Sequence, residues 1–377
     1  MATIPMRTNT LGIIAEFNPF HSGHSFLFQK AKEISGADEI VCVMSGNFIQ
    51  RGGPAVFDKW ERAKNAVENG ADLVLELPTV FASASAGYFA KGGVEVLEGL
   101  GAVDALCFGS ESGDIDKLTQ AAKTMKMVEE NRGGEIRTLL KEGMSYPRAR
   151  QEIFQEAFHD GDIAKEPNNI LALEYLMISQ LPAFAVKRDG EGHLESAAKV
   201  RAKLFAEDPE RFLRMESRYF DMVRTAIIRS DAEELEKIAS AGEGLGNKLK
   251  KDIRYADSLS ALVKRSRSKR YTETRISRLL AQLVLGVDGE VLRRAKPYLK
   301  PLAFNEKGAA IIRDVKNKEL NTIPFVDSYG KTFEKGDKDL SLTLEKDILA
   351  TDLYNIITGR DLYQEADQVR KPERVGL

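Results

Sequence analysis

The sequence has few residues that could cross-link a fold or hold a metal. It contains two cysteines, Cys42 and Cys107, and four histidines in 377 residues. Both cysteines lie inside short apolar runs, so we expect them to be buried and reduced. No Cys/His cluster has the spacing of zinc ligands. The pattern therefore argues against a disulfide-stabilised fold and against a structural zinc site.

Long hydrophobic runs are also absent. No run approaches the roughly 20 apolar residues that cross a bilayer, and the first residues lack the layout of a secretory signal. Hydrophobic residues make up 43% and charged residues 30% of the chain, as in ordinary globular proteins. We therefore expect a cytoplasmic protein with no membrane partner, and nothing indicates an obligate protein partner. A length of 377 residues favours two domains.

The net charge of −2 hides an uneven distribution. Residues 248–278 contain eleven Lys or Arg against three Asp or Glu, which leaves the rest of the chain acidic. Such a basic segment indicates an anionic macromolecular partner such as RNA, although a solvated helix face is the alternative. Tyr271 is available for stacking on a base. The candidate RNA contacts are Lys264, Arg265, Arg267, Lys269, Arg270, Tyr271, Arg275 and Arg278.

Short apolar runs alternate with helical patterns through the first half of the chain. This β-α-β order predicts an α/β, doubly wound parallel-sheet domain of the Rossmann-like type. Most later segments have helical periodicity. We therefore expect a catalytic domain at 11–205, followed by a mainly α-helical domain at 206–377. The runs that predict strands are 11–15, 39–44, 73–77, 105–108 and 183–188.

The segment His21–His24 (HSGH) follows the first predicted strand and opens a helix. Gly23 lets the backbone approach a ligand, and the unpaired N–H groups of a helix N-terminus favour phosphate. Two imidazoles here can donate hydrogen bonds to an α-phosphate as negative charge develops on it. We therefore predict that His21 and His24 are catalytic residues. Their role would be to assist attack at the α-phosphate of ATP. The alternative is two incidental histidines at a helix start.

The glycine-containing loop Ser45–Arg51 follows the second predicted strand and should face the same cleft. Asn47, Gln50 and Arg51 are candidates to contact the substrate or the phosphates, unless this is only a solvated polar loop. Lys59 begins the next helix, where it either reaches an anion or is an ordinary surface lysine.

Longer strings in the sequence resemble one family. EFNPFHSGH at Glu16–His24 resembles the HIGH-type nucleotidyltransferases. The whole chain resembles the tRNA(Met) cytidine acetate ligases through VMSGNFIQRGGPA, DLVLELP, CFGSESGD, PNNILALEYL and KRYTETRISRLL. The resemblance implies an enzyme that uses ATP to convert acetate to acetyl-adenylate. It also implies transfer of the acetyl group to N4 of the wobble cytidine of elongator tRNA(Met).

The resemblance implies ATP contacts in the first half of the chain. Gly109 matches a nucleotide-contacting glycine of the family. Either Asn168 or Asn169 matches an ATP-contacting asparagine, with a helix cap as the alternative role. Arg188 matches a family arginine, with a surface charge as the alternative. The first ATP-binding segment comprises Ile14, Ala15, Glu16, Phe17, Asn18, Pro19, Phe20, His21, Ser22, Gly23, His24, Ser25, Phe26 and Leu27.

The segment that begins at Ser196 is similar to the second phosphate-binding motif of the superfamily. Ser196 would cap a helix, and Arg201 would hold the leaving pyrophosphate. The copy departs from the family at Ala198, where threonine is more usual, and its preceding loop at 189–195 is short.

Magnesium is expected to accompany ATP, yet no carboxylate cluster marks its ligands, and Glu16 is only a candidate. Two other functions stay open on the sequence alone. A nucleotidyltransferase that adenylylates a small cofactor precursor uses the same motifs but does not need the basic segment. An RNA-binding protein with a degenerate nucleotide site does not need His21, Gly23 and His24.

Overall fold

The structure is a computed structural model that describes residues 8–188 and 195–376. Among these residues, seven strands form a single sheet. The strands are β1 (Thr10–Ala15), β2 (Glu39–Ser45), β3 (Leu73–Leu77), β4 (Ala105–Ser110), β5 (Ala183–Lys187), β6 (Pro301–Phe304) and β7 (Glu373–Arg374). Their order across the sheet is β5-β4-β1-β2-β3-β6-β7.

Helices cover both faces of the sheet and form most of the later chain. The helices before β5 are α1 (Ser22–Ser35), α2 (Lys59–Glu68), α3 (Thr79–Ala82), α4 (Ala86–Leu100), α5 (Ile115–Asn131), α6 (Gly133–Lys141), α7 (Tyr146–Ala157) and α8 (Pro167–Ile178). The later helices are α9 (Ala197–Glu207), α10 (Pro209–Arg229), α11 (Ala232–Lys237), α12 (Leu245–Asp252), α13 (Leu259–Ser266), α14 (Glu273–Leu285), α15 (Gly289–Arg294), α16 (Glu306–Lys318), α17 (Tyr329–Glu334) and α18 (Lys338–Thr358). None of the helices described here is long and apolar enough to cross a membrane.

Strands β1 to β5 run parallel, as the apolar runs predicted. Most side chains of β2, β3 and β4 are buried, whereas the edge strand β5 is only partly buried. The thiols of Cys42 in β2 and Cys107 in β4 are free and buried, as expected. The chain leaves β1 toward β2 on one side and returns to β4 on the other. This reversal opens a crevice at the carboxyl ends of β1 and β4, where open α/β sheets bind ligands. The doubly wound fold is confirmed.

The last part of the chain returns to this sheet, which the sequence did not predict. Strand β6 pairs antiparallel with β3, and β7 pairs parallel with β6. Residues 206–377 are mainly helical, as predicted, and they also supply these two strands to the sheet, while the division at residue 205 stays a prediction. These strands have four and two residues. They are too short to produce a readable alternation of apolar side chains.

Helices α10 to α15 enclose a second hydrophobic core beside the sheet. Its fully buried side chains include Val223, Leu262 and Leu279. Phe48, from the loop after β2, and Val80, from α3, belong to the same cluster. The loop after β2 is therefore anchored in the helical core while its other residues lie near the sheet.

A buried cluster of four charges joins the C-terminal residues to β3 and α2. Lys59 Nζ lies 2.6 Å from the Glu76 carboxylate and 2.5 Å from that of Asp367. Lys300 Nζ lies 3.0 Å and 2.7 Å from the same two carboxylates. Burial by itself lowers the pKa of Lys59, but Asp367 and Glu76 outweigh it and raise the pKa. The expectation of a surface lysine is wrong, because Lys59 is 1% exposed.

Replacing Asp367 with asparagine should destabilise the protein strongly. The variant Asp367→Asn leaves two buried lysines with one carboxylate between them. Breaking a buried ion pair in this way typically costs about 3–5 kcal/mol of the free energy of unfolding, measurable by urea denaturation. Asp327→Asn is the control, because Asp327 pairs with Lys316 at 2.8 Å on the surface. Its loss should stay below about 1 kcal/mol, and equally small losses in both variants would contradict the role given to the cluster.

Candidate active site

The loop between β1 and α1 turns sharply at Phe17. The φ of Phe17 is 44°, in the left-handed region that few non-glycine residues adopt. Its ring is 1% exposed and packs 5.3 Å from the ring of Phe20, between centroids. Packing therefore holds the backbone in this conformation, and the turn places His21 at the N-cap of α1.

The two histidines close the first turn of α1 through reciprocal hydrogen bonds. His21 Nδ1 accepts from the Gly23 N–H at 3.1 Å, and His24 Nδ1 accepts from the His21 N–H at 3.2 Å. Their ring centroids lie 3.9 Å apart. A neutral imidazole has one acceptor nitrogen and one donor nitrogen. Because both Nδ1 atoms accept, each ring carries its proton on Nε2 and has that N–H left to donate.

Burial keeps both imidazoles neutral. It lowers the pKa of His21 to about 4, and the nearby Arg188 acts in the same direction. Burial also lowers the pKa of His24 well below its ordinary value, with smaller effects from His21 and Arg188. The rings of Phe17 and Phe20 lie 4.9 Å and 5.3 Å from the His24 ring. At neutral pH the pair therefore offers two hydrogen-bond donors and no positive charge.

Gly23 is required by the packing of His21 as well as by access to a ligand. A Cβ at this position would lie 2.9 Å from Cε1 of the His21 ring, closer than real Cβ contacts. A side chain here would therefore displace the ring from its place over the first turn of α1.

The second phosphate motif lies beside this loop. Ser196 caps α9 by accepting from the Lys199 N–H at 3.3 Å, as predicted. Arg201 Nη1 donates to the Asn18 carbonyl at 2.7 Å, so α9 is tied to the loop after β1. Of the loop predicted at 189–195, residues 189–194 lie outside the described residues. The N–H of Glu195 donates to the Ser22 hydroxyl at 3.1 Å.

Gly109, Asn168 and Arg188 meet at the carboxyl end of β4. Arg188 Nη1 donates to Asn168 Oδ1 at 3.2 Å. The Arg188 side chain passes 3.5 Å from the point where a Cβ added to Gly109 would lie. Asn169 is 3% exposed, and its Oδ1 accepts from the N–H of Glu111 at 3.0 Å. Asn169 therefore fixes the loop after β4, whereas Asn168 reaches the side of the site where Arg188 lies.

The three candidates in the loop after β2 have different surroundings. Asn47 is 2% exposed, and its Oδ1 accepts from the Lys59 N–H at 2.9 Å, so it supports the start of α2 inside the protein. The Gln50 N–H donates to the Glu16 carboxylate at 2.6 Å. Arg51 is exposed and close enough to Glu16 to lower the pKa of its carboxyl, although burial raises that pKa more strongly. Gln50 and Arg51 therefore lie beside Glu16, whereas the Asn47 side chain is held inside the protein.

Arg62, which was not among the residues predicted from the sequence, joins the two loops. Its guanidinium is fully buried and donates to the carbonyls of Glu16 at 2.5 Å, Phe57 at 3.0 Å, Ser45 at 3.1 Å and, closer still, Gly46. These carbonyls come from the loops after β1 and β2. Arg62 therefore fixes one loop relative to the other.

One sequence signal could have revealed Arg62. It shares a face of α2 with Lys59 and Ala66, at i−3 and i+4 spacing, and all three residues are buried. A cation on the apolar face of a helix needs buried acceptors, and carbonyls at loop ends supply them.

The basic segment is only partly exposed. Tyr271 is 7% exposed and its hydroxyl donates to the Glu243 carbonyl, so its ring is not available for a base to stack on. Arg275 donates to the carbonyls of Ser240 at 3.0 Å and Ala241 at 2.9 Å, which commits it to packing. The side chains that are exposed are Lys264, Arg265, Arg267, Lys269 and Arg270.

The loop after β2 packs directly on the helix that carries Arg278. Gly52 has a φ of 89°, and a Cβ there would lie 2.2 Å from the carbonyl carbon of Ser277. Only glycine fits so close a backbone approach. Arg278 lies beside this contact, and burial lowers its pKa to about 10, with a smaller effect from Arg275. The active-site loop and α14 are thus in contact.

The geometry is that of a HIGH-type nucleotidyltransferase, and comparisons with known proteins confirm this class. The family model described as HIGH Nucleotidyl Transferase matches residues 8–369. The tRNA(Met) cytidine acetate ligase of Clostridium perfringens is 36% identical, over 93% of this chain and 95% of its own. That of Acetivibrio thermocellus is 34% identical, over 95% of this chain and 97% of its own. The chain belongs to the tRNA(Met) cytidine acetate ligase family, as its motifs predicted.

Solved structures support the same assignment. The crystal structure of Thermotoga maritima TmcAL bound with alpha-thio ATP superposes with a TM-score of 0.87. The two sequences are 29% identical, and the match covers 97% of this chain and 100% of that one. The apo form of the same protein gives the same TM-score over 97% of this chain.

Two substitutions at His24 should separate the roles of its two ring nitrogens. His24→Asn keeps an acceptor for the His21 N–H but removes the outer donor, so pyrophosphate release from ATP should slow about 10²- to 10³-fold. His24→Gln restores an N–H near the position of Nε2 while weakening the helix cap. We therefore expect His24→Gln to retain more activity than His24→Asn in a steady-state pyrophosphate assay. The reverse order would show that the cap, and not the donor, is what the reaction needs.

Proposed function

We propose that this chain is an ATP-dependent tRNA(Met) cytidine acetate ligase. In the first step it makes acetyl-adenylate and pyrophosphate from acetate and ATP. In the second step it transfers the acetyl group to N4 of the wobble cytidine of elongator tRNA(Met). The observation that carries the proposal is the pair of neutral Nε2–H donors at the reversal point of the sheet, in a chain that matches these ligases over 93% of its length.

In the first step an acetate oxygen attacks the α-phosphorus, and the bond to the bridging oxygen of pyrophosphate breaks. Negative charge increases on the non-bridging oxygens of the α-phosphate as the attack proceeds. His21 and His24 donate to these oxygens from Nε2, next to the N-terminus of α1. Neutral donors suit this step because they keep their protons while the α-phosphate is attacked and pyrophosphate leaves.

The rest of the ATP site is assigned by the contacts around the two histidines. Arg188 and Arg201 provide positive charge for the triphosphate and the departing pyrophosphate. Asn168, held at 3.2 Å from Arg188, is the asparagine that we assign to ATP, and Gly109 allows close approach at the end of β4. The segment from Ile14 to Leu27 provides the loop and helix N-terminus that hold the nucleotide.

Magnesium is expected to bind with the triphosphate. Magnesium sites of this kind use one or two carboxylates together with phosphate oxygens and water. Glu16, directly after β1, is the candidate carboxylate for this role, and its carboxylate also accepts from the Gln50 N–H. Within 8–188 and 195–376 no group of three or more His, Cys, Asp or Glu side chains is placed to hold a metal.

In the second step the N4 amine of the cytidine attacks the acetyl carbon. The bond from this carbon to the adenylate oxygen breaks, AMP leaves, and the amine loses a proton. A wobble base is unpaired, so it can enter the cleft without melting a duplex. Gln50 and Arg51 are the side chains that we assign to the acetyl group or the cytidine, because their loop lies at the site and contacts α14.

The function can be tested with ATP, labelled acetate and bulk tRNA. Label should enter tRNA only when ATP is present, and His24→Asn should slow labelling by about 10²- to 10³-fold. The double variant Arg267→Glu, Lys269→Glu should weaken tRNA labelling, most strongly at low salt, while leaving adenylate formation without tRNA unchanged. Unlabelled tRNA, with pyrophosphate released in the presence of a phosphate ester instead of acetate, would indicate a cofactor-precursor adenylyltransferase.

A further inference from the structure

The aromatic ring that the basic segment exposes is that of Tyr255. Between residues 248 and 278 the sequence has two aromatic residues, Tyr255 and Tyr271. Tyr271 is buried at 7% exposure, whereas Tyr255, in the turn between α12 and α13, is 66% exposed. Its neighbours Ile253 and Ala256 are buried at 5% and 9%. The turn therefore points its small apolar side chains inward and its largest ring outward.

Arg265, on α13, covers one face of this ring. Its guanidinium carbon lies 5.1 Å from the Tyr255 ring centroid, within the range of a cation–π contact. Among the described residues, neither side chain has a hydrogen-bond or ion-pair partner. The contact pre-orders both side chains without using their polar groups, and it leaves the ring largely open to solvent.

Cations outnumber carboxylates on the exposed surface around this pair, although Asp257 in the same turn is also exposed. Lys251, Arg254 and Lys264 are exposed, and the nearby Asp252 is buried and paired with Lys248 at 3.0 Å. Proteins bind single-stranded nucleic acid with two elements, exposed cations and an open aromatic ring. The cations attract the phosphates, and the ring stacks with a base.

We propose that Tyr255 and Arg265 form a stacking platform for an unpaired base of the RNA substrate. Arg254, Lys251 and Lys264 hold the phosphates on either side of that base. The proposal rests on the proposed function, since it assigns a binding site to the tRNA of the same reaction. It differs from the sequence-based assignment, which gave the stacking role to Tyr271.

The platform predicts a loss of RNA affinity on removing the ring. Tyr255→Ala should weaken binding of the anticodon stem-loop of elongator tRNA(Met) by about 5- to 100-fold, as loss of one base–aromatic stack does. Tyr255→Phe should bind like the unmodified protein. Tyr363→Ala is the matched control, because Tyr363 is 79% exposed but lies outside the basic segment. It should leave the affinity unchanged, as measured by fluorescence anisotropy.

The salt dependence of RNA binding and the affinity for a fully paired RNA provide two further readouts. Tyr255→Ala should leave the slope of log affinity against log salt unchanged, whereas Arg254→Ala should reduce it by about 0.7 to 0.9, the value for one lost phosphate contact. Tyr255→Ala should also leave binding to a fully paired RNA hairpin of equal length unchanged. Equal weakening for stem-loop and hairpin, or no weakening for either, would overturn the platform.

The same variants separate this proposal from the proposed function. Formation of adenylate from ATP and acetate, measured without RNA, should be unchanged in Tyr255→Ala. If the unmodified protein acetylates tRNA and Tyr255→Ala does so with an unaltered KM for tRNA, the platform is wrong and the ligase assignment stands. If no RNA is acetylated but Tyr255→Ala still loses only stem-loop binding, the ligase assignment is wrong and the platform stands.

Discussion

The reciprocal hydrogen bonds of His21 and His24 are the constraint on which the site depends. Each Nδ1 satisfies a backbone N–H at the start of α1, so the helix cap itself decides which nitrogen of each ring holds the proton. Burial then keeps both rings uncharged. The site therefore has its two outward donors in place before any ligand arrives, which is the preorganisation that stabilises developing charge most effectively.

Buried polar contacts hold the surrounding elements in register with this pair. Arg62 binds carbonyls from the loops after β1 and β2, and Gly52 lets the second loop pack against the backbone of α14. The cluster of Lys59, Glu76, Lys300 and Asp367 ties the C-terminal strands to β3. The sheet and the helical core of α10 to α15 are thus joined at the loops beside His21 and His24, so these helices have a fixed position relative to the candidate active site.

Much of this organisation could be predicted from the sequence, for identifiable reasons. Strands β1 to β5 are continuous apolar runs, and HSGH has a spacing that only a helix start explains. Other features depend on contacts that are distant in sequence. The burial of Lys59 requires a partner more than 300 positions away at Asp367. The roles of Asn168 and Asn169, and of Tyr255 and Tyr271, differ only in the direction in which each side chain points, which no local pattern encodes.

The most direct test of the account is the protonation state of the two histidines. Nitrogen-15 NMR of the imidazole rings reports the charge and the tautomer, and His24→Asn assigns the signals. At pH 7 both rings should be neutral, with protonated Nε2 and unprotonated Nδ1, and both should remain neutral when the pH is lowered to about 5, because burial lowers the pKa of His21 to about 4 and that of His24 well below its ordinary value. A charged ring at pH 7, or a proton on Nδ1 of either ring, would contradict it.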